Sequence, residues 1–446
     1  MRTTTLFIDL LEAASLSYLQ PRTSSSRNSK MTPHSDPAFD HPRDPGQLVD
    51  DLDDDPQGFA YRFEGSDGLL RTIVVEQFLH RSEGRNGWNS AVLEVKCVCS
   101  LSGCGWHEEN KILKVYHLKM DDPLEEQFIW GAKEKAESSG EHWTLDHLPN
   151  IIDAITCTIT TPPEEEEEEE EDMDQDDSES RMDEDCEERV LQLTIFEKLY
   201  PLSELKDLRD FSQVFYDILQ IHQWLYECVG VLHRDLSSGN IMFRRKNGNI
   251  YGVLNDFGLS SYVQDPDLIS HRAGTLPFMS LDLLNSNWEG GHLYRHDLES
   301  LFFVMLCLAC RYAAPGVPAS EPRPYPDWYT GTNRNVYHSK HSFFTHPDFE
   351  TFPIQPHFIG LKSWLEEIYC SFHFGYIGRP SFYSHDHYLK MKKRYGRVNI
   401  ELEDFNFDYD WTTLGKFASY ARMRSIMSFF NGGSLDTRWA GWNPEH

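Results

Sequence analysis

The chain is short of positive charge. Its 41 lysines and arginines stand against 72 aspartates and glutamates, so the formal net charge at pH 7 is -31. Proteins that bind nucleic acid contact the phosphates with a basic face or stripe, and no such stripe is present in the sequence. We therefore expect no nucleic-acid partner.

The negative charge is concentrated in one run. Positions 164–188 contain eighteen acidic residues and one basic residue. Like charges repel one another and the run has almost nothing apolar to bury, so residues 161–188 are predicted to form a disordered, solvated insert. The alternative is that this insert docks a basic protein partner. Residues 1–57, rich in Ser, Thr, Pro and Asp, are also predicted to be mostly disordered.

Neither the cysteines nor the apolar runs follow the pattern of a secreted or membrane protein. Nine cysteines are scattered without the spacing of a disulfide framework, which is typical of reduced thiols. The longest apolar run, residues 301–310, is too short to span a bilayer. We expect an intracellular protein, cytoplasmic or nuclear, with no membrane partner.

The apolar periodicity changes along the chain and predicts two lobes. Residues 58–200 contain short β-branched runs and one helical stretch, "PLEEQFIWGAKEKA". From Leu208 to Tyr226 apolar residues recur at three- and four-residue steps, the pattern of a long amphipathic helix. The predicted fold class is α+β, with a small antiparallel-sheet N-lobe (58–200), a mainly helical C-lobe (201–430) and a tail (431–446).

The chemistry is concentrated around "VLHRDLSSGNIMF", which begins at Val231. Two short strands follow, joined by the Asn-Gly turn of "KNGN", and the second ends at "NDFG". A hairpin of this kind brings Asp256 close to Asn240. Two oxygen-bearing side chains that converge in this way suit Mg²⁺, a hard cation.

The order of these residues is that of the catalytic and metal loops of protein kinases. Phosphoryl transfer depends on positioning and on charge neutralisation, so one carboxylate orients the attacking hydroxyl and accepts its proton. That residue is Asp235, while Asn240 and Asp256 are the predicted metal ligands. The full signature comprises His233, Arg234, Asp235, Asn240, Asp256, Phe257 and Gly258.

Together with "GTLPFM" and "HDLES" further along, these motifs resemble the fungal-type protein kinase family. The resemblance implies that Thr275 lies beside Asp235 in the substrate-binding turn and that Asp297 braces the catalytic loop. It also implies that Asp282 takes the place of the usual glutamate of an Ala-Pro-Glu motif. Thr275 favours Ser/Thr specificity, whereas Ser237 stands where Ser/Thr kinases commonly carry a lysine.

The N-lobe is expected to supply a lysine for the ATP phosphates. In "KILKVYHLK" the alternation places Lys114 between Leu113 and Val115 on a strand. A helix carboxylate should pair with this lysine, and Glu125 is the first choice, with Glu126 as the alternative.

The glycine-rich loop of kinases is only partly present. A Gly-x-Gly-x-x-Gly pattern starting at Gly84 finds Asn86 and Asn89 in place of its later glycines, with an extra Gly87. Asparagine tolerates positive φ better than most residues, so a tight loop remains possible. The strand "IFEKL" is the expected hinge against adenine. The predicted nucleotide-binding residues are Gly84, Gly87, Val92, Lys114, Glu197 and Leu199.

Two further features leave alternatives open. Because Arg234 could pair with a phosphate group, we expect phosphorylation at Ser260, Ser261 or Ser270 to order the segment after the metal loop. "CVCSLSGCGWH" offers Cys97, Cys99, Cys104 and His107 as zinc ligands, but the spacing is not that of paired Cys-x-x-Cys, so simple packing is the preferred interpretation.

The sequence as a whole predicts an ATP- and Mg²⁺-dependent protein kinase that phosphorylates Ser or Thr on a protein substrate. The alternatives are a pseudokinase scaffold, which the incomplete glycine loop allows, and a small-molecule kinase acting on an aminoglycoside- or choline-like substrate.

Overall fold

The computed structural model describes residues 58–83, 89–119, 122–161, 187–265, 272–345, 352–379 and 409–439. They fall into two compact units. The first comprises residues up to Pro123 together with Asn150–Lys198, and the second comprises Leu124–Pro149 together with residues from Leu199 onward. The first unit is an antiparallel sheet and the second is mostly helical, so the predicted α+β class is confirmed. Gly84, Gly87, Ser270 and residues 162–186 lie outside the described residues.

The first unit is built on one six-stranded sheet with the order β1-β2-β3-β4-β6-β5. All its neighbouring strands are antiparallel. The strands are β1 (Ala60–Glu64), β2 (Leu70–Glu83), β3 (Asn89–Cys97), β4 (Lys111–Lys119), β5 (Ile151–Thr161) and β6 (Glu187–Glu197).

Alternation along these strands decides which side chains form the core. Leu113 and Val115 of β4 are buried in one apolar cluster, as the sequence predicted. The intervening Lys114 lies on the opposite face. Thr161, Glu187 and Glu188, which the sequence prediction assigned to the acidic insert, are strand residues, and Thr161 pairs directly with Glu187.

The second unit begins with helix α1 (Glu125–Ser139), which the sequence placed within the N-lobe segment but which clusters here. The predicted amphipathic helix is confirmed as α2 (Leu208–Trp224), followed by a π-helical turn, Leu225–Val229. Asp207 caps α2, because its carboxylate accepts hydrogen bonds from the backbone N–H groups of Arg209 and Asp210. The other α-helices of the described residues are α3 (Leu281–Leu284), α4 (Tyr294–Arg311), α5 (Asp327–Thr330), α6 (Asn333–Thr345), α7 (Lys362–Gly378) and α8 (Tyr420–Met427).

Short strands of the second unit hold its loops. β9 (Ile241–Lys246) and β10 (Asn249–Leu254) form the predicted hairpin, and β7 (Tyr200–Pro201) pairs with β9. Asn247 and Gly248 have φ values of 53° and 80° at the turn, which is why an Asn-Gly pair is found there. β8 (Val231–Leu232) pairs with β11 (Ser261–Tyr262). Two small ribbons complete the unit: β12 (Tyr312–Ala314) with β13 (Val317–Pro318), and β14 (Phe429–Phe430) with β15 (Gly433–Ser434).

The hairpin packs tightly on α2. A side chain at Gly252 would place its Cβ 2.6 Å from the backbone oxygen of Val214, so only glycine fits there. The buried carboxylate of Asp217 on α2 accepts hydrogen bonds from the Gly252 N–H (3.1 Å) and from Arg438 (3.1 Å). The hairpin that carries the catalytic loop is thus fixed both to a core helix and to the C-terminal segment.

Helix α4 is almost entirely buried, although its sequence contains charged residues as well as Leu, Phe and Val. Asp297, Glu299 and Arg295 are each at most 1% exposed, and each has a hydrogen-bond partner. Across the described ranges, no helix is both long and apolar enough to span a bilayer.

Candidate active site

The catalytic loop leaves β8 through a strained residue. Arg234 has φ = 69°, an uncommon value for a side chain of this size, and its backbone N–H donates to Asp297 Oδ2 at 3.0 Å. Asp297 also accepts from His222 Nε2 and His292 Nε2, both at 2.8 Å. The bracing contact that the resemblance implied is therefore confirmed.

Asp297 is a buried carboxylate that stays ionised. Burial alone would raise its pKa, but His292 and His222 together hold the pKa well below its usual value. The hydroxyl of Tyr420 bonds the second ring nitrogen of His222 at 2.8 Å, which fixes the orientation of that ring. A negative charge anchored in this way holds the loop backbone at Arg234.

Asp235 is positioned by two residues, Thr275 and Asn240. Its Oδ1 accepts from the backbone N–H and from the hydroxyl of Thr275, each at 2.7 Å. Its Oδ2 accepts from Asn240 Nδ2 at 2.9 Å. The sequence prediction that Thr275 lies beside Asp235 is thus confirmed, and the carboxylate is held in one orientation.

Asn240 contacts this carboxylate, and the residue before Asp256 contacts Asn240. Asn240 Nδ2 donates to both the side chain and the backbone oxygen of Asp235, which leaves its Oδ1 as the atom that can ligate a cation. The N–H of Asn255 donates to the Asn240 carbonyl at 2.9 Å, so the hairpin brings the two segments together as predicted. The donor set is oxygen only, which fits a hard cation such as Mg²⁺.

Asp256 begins the metal loop in a left-handed conformation, with φ = 63°. Its Oδ1 accepts from the N–H of Gly258 at 3.2 Å. Asparagine and aspartate tolerate this conformation better than other residues that carry a Cβ. The loop geometry thus favours the residue type that a metal ligand requires.

His233 supports the loop from within the core. The ring is 1% exposed, Nε2 donates to the Asn255 carbonyl at 3.0 Å, and Nδ1 accepts from the Asp235 N–H at 3.3 Å. Burial lowers the pKa of His233, so the ring is neutral in this tautomer. Phe257 packs edge-on against it, 5.1 Å between ring centroids.

Glu125 contacts the metal loop directly. The side chain is 2% exposed, and Oε1 accepts from the backbone N–H of Phe257 at 2.9 Å. This contact with the backbone of the metal loop was not anticipated from the sequence. The pairing of Glu125 with Lys114 stays a prediction.

The predicted nucleotide-binding residues of the first unit lie at neighbouring register positions. Lys114 on β4 is directly opposite Val92 on β3 and Thr194 on β6, so the three share one face of the sheet. Glu197 ends β6 and its Oε2 accepts from Asn150 at 2.5 Å. In the second unit, Leu199 is buried. The roles of these residues toward ATP stay predictions.

The segment around Thr275 is fixed by a lysine that the sequence analysis missed. Lys340 is fully buried and donates to the carbonyls of Pro277 (2.9 Å) and Met279 (2.6 Å). Burial lowers the pKa of Lys340 to about 7. Gly274 has φ = 135° and a Cβ there would lie 3.0 Å from Met279, so the glycine of "GTLPFM" is required.

Asp282 bridges two arginines. It accepts from Arg295 Nη2 at 2.7 Å and from Arg379 Nη1 at 2.6 Å. Burial would raise its pKa, but the two guanidinium groups hold the pKa below its usual value. The aspartate that replaces the usual glutamate therefore makes the structural ion pairs of this site.

Two of the serines predicted to be phosphorylated are buried in the structure. Ser260 and Ser261 are 4% and 8% exposed, and Ser261 Oγ accepts from Arg234 Nη1 at 2.5 Å. Arg234 therefore already has a partner in the segment, and the phosphorylation of these serines stays a prediction. Ser270 lies outside the described residues.

Comparison with known proteins gives a match over the region that contains these motifs. Residues 119–309 match the fungal protein kinase family. The resemblance inferred from the motifs is thereby confirmed over these residues. The matched range contains Asp235, Asn240, Asp256 and Thr275.

Curated relatives of the chain carry the names of kinases. The chain is 31% identical over 105 residues to the probable serine/threonine-protein kinase fhkE of Dictyostelium discoideum, covering 22% of this chain and 14% of that protein. It is 31% identical over 161 residues to a probable casein kinase I homolog of Encephalitozoon cuniculi, covering 32% of this chain and 49% of that protein. The chain thus spans less than half the length of these relatives.

Among solved structures, that of vaccinia related kinase 3 is similar with a TM-score of 0.39 and 16% identity, covering 67% of this chain and 78% of that chain.

Proposed function

We propose that the protein transfers the γ-phosphoryl group of ATP, in the presence of Mg²⁺, to a serine or threonine hydroxyl of a protein substrate. The observation that carries the proposal is the orientation of Asp235. Its carboxylate is held by Thr275 on one side and by Asn240 on the other, within a segment that matches a protein kinase family.

Asp235 would act on the substrate hydroxyl. A carboxylate fixed by three hydrogen bonds needs no reorientation when the hydroxyl arrives, so it can align the oxygen and accept its proton. Because two of these bonds come from Thr275, a shift of the substrate-binding turn would move the base as well. This coupling links peptide binding to the position of the base.

Asn240 and Asp256 would hold Mg²⁺, which supplies charge neutralisation on the phosphates when bound. Lys114 is proposed as the phosphate anchor, with Glu125 as its partner and with Gly84, Gly87, Val92, Glu197 and Leu199 around the nucleotide. The Ser/Thr preference is supported by Thr275 and by the names of distant relatives. The intact set of Asp235, Asn240 and Asp256 favours transfer over a scaffold role.

The test is transfer from γ-labelled ATP to a panel of proteins, peptides and small hydroxylated metabolites, followed by analysis of the labelled amino acid. We expect label on serine or threonine with the wild type, and loss of at least a hundredfold in Asp235→Asn. Asp327→Asn, an exposed residue on α5, is the matched control and should keep full activity. Label on a metabolite instead of a protein, or equal transfer by Asp235→Asn, would overturn the proposal.

A further inference from the structure

The first unit contains a cluster of soft ligands in the connection between β3 and β4. Cys97 ends β3, while Cys99, Cys104 and His107 lie in the irregular segment 98–110. The four ligand atoms all lie within 4.8 Å of one another. A loop of this length without regular structure needs some other source of order.

Three separations within the cluster are close to those of a tetrahedral site. The Cys97 and Cys99 sulfurs are 3.4 Å apart, and the Cys97 and Cys104 sulfurs are 3.9 Å apart. The Cys99 sulfur is 3.2 Å from His107 Nε2. The edge of a regular tetrahedron is about 1.63 times the distance from its centre to a corner, so a zinc–sulfur bond of about 2.3 Å implies sulfurs about 3.8 Å apart. The observed separations bracket that value.

The backbone presents these side chains without help from regular structure. The N–H of Cys104 donates to the Leu101 carbonyl, and the N–H of His107 donates to the Cys104 carbonyl, each at 3.3 Å. Gly103 between them has φ = 79°, a conformation that glycine adopts freely. Two consecutive tight turns thus direct Cys104 and His107 toward the two cysteines at the end of β3.

The surroundings complete the site. Trp106, between the third and fourth ligands, is 6% exposed and packs into the core of the sheet. Arg71 lies over its ring at 4.4 Å and pairs with Asp67. Three thiolates and one Zn²⁺ would carry one net negative charge, and the cation of Arg71 lies on the adjoining Trp106.

We propose that Cys97, Cys99, Cys104 and His107 bind one structural zinc ion that orders the β3–β4 connection. Three sulfurs and one imidazole select zinc over Mg²⁺ or Ca²⁺, and four protein ligands leave no open position, as in structural sites. The ligand pattern is Cys-x-Cys-x₄-Cys-x₂-His, which differs from paired Cys-x-x-Cys spacing. This proposal is independent of the proposed function, because none of its ligands belongs to the kinase motifs.

The test is the metal content of the full chain, purified without a metal-affinity tag and measured by mass spectrometry. We expect one zinc per chain in the wild type and at least a tenfold loss in Cys104→Ser. Cys157→Ser is the matched control, since Cys157 is a half-buried thiol that packs against the same core outside the cluster. It should retain the full zinc content.

A second measurement covers the case in which Cys104→Ser does not fold. Zinc is removed from the wild type with a chelator, Co²⁺ is added, and the spectrum is recorded. We expect the sulfur-to-cobalt charge-transfer absorption of a thiolate-rich tetrahedral site, with one equivalent bound and recovery of the melting temperature. A wild type that binds no zinc or cobalt, equal zinc in Cys104→Ser, or a disulfide among the three cysteines in freshly purified protein would overturn the proposal.

Discussion

Replacing Asp297 by asparagine should destabilise the second unit and disorganise the catalytic loop. The wild-type carboxylate accepts three hydrogen bonds, from Arg234 N–H, His222 and His292, and it is 1% exposed. An amide has one acceptor oxygen, so at least one buried donor would face its N–H₂ group. An unsatisfied buried donor costs about 1–3 kcal/mol, and loss of the charge adds to this. We expect a loss of about 3 kcal/mol in the free energy of unfolding.

The assay is urea denaturation followed by tryptophan fluorescence and circular dichroism, together with the rate of phosphoryl transfer. Because Arg234 precedes Asp235 directly, release of its N–H should also lower the transfer rate by tenfold or more. Asp327→Asn, which changes an exposed carboxylate in the same unit, serves as the control for both measurements. A free energy of unfolding for Asp297→Asn within about 0.5 kcal/mol of the wild type would refute the reasoning.

Three further substitutions test other contacts. Gly252→Ala should lower the free energy of unfolding by about 1–3 kcal/mol, because its Cβ would lie 2.6 Å from the Val214 carbonyl; an unchanged thermal midpoint would contradict this. Burial raises the pKa of Glu299 from 4.5 to about 7, so its stabilising contribution is complete below pH 4.5 and is lost as the pH rises toward 7. Between pH 4.5 and 7 the free energy of unfolding should therefore fall in the wild type but not in Glu299→Gln. If the free energy of unfolding depended on pH in the same way in both proteins, the role of Glu299 would be contradicted. Thr275→Val removes one hydrogen bond to Asp235 and should slow transfer about tenfold, whereas Thr275→Ser should not; similar rates for the two variants would disprove the contact's role.

The central constellation could be predicted because it is local in sequence. Asp235 and Asn240 are separated by one turn, and the hairpin with its Asn-Gly turn determines where Asp256 lies. Strand alternation likewise placed Lys114 between two core residues, since a period of two leaves little freedom. Where turn chemistry and periodicity dictate the geometry, the sequence alone suffices.

Contacts that depend on tertiary packing could not be predicted in the same way. Lys340 lies far along the chain from the turn whose carbonyls it binds, and no pattern connects them. His222 lies among the buried residues of α2, so no sequence pattern indicates its hydrogen bond to Asp297. The burial of Ser260 and Ser261 is a property of the folded unit, and no pattern in a short segment indicates it.

The cysteine cluster could be predicted only in part. Its four ligands were visible in the sequence, but their uneven spacing gave no expected geometry. Only the turns at Gly103 and Cys104 bring His107 to the sulfurs of the strand end. The sequence therefore shows that the four residues can bind a metal, but it does not show that their side chains meet.

The measurement that tests the central claim most directly is Mg²⁺-dependent phosphoryl transfer by the wild type and by Asp256→Asn, with the melting temperature of each recorded. The charge on Asp256 is proposed to hold the metal, whereas its backbone conformation with φ = 63° suits asparagine equally well. We predict that Asp256→Asn melts at the same temperature as the wild type and loses at least a hundredfold in transfer. Equal transfer by the two proteins at saturating Mg²⁺ and ATP would contradict the account.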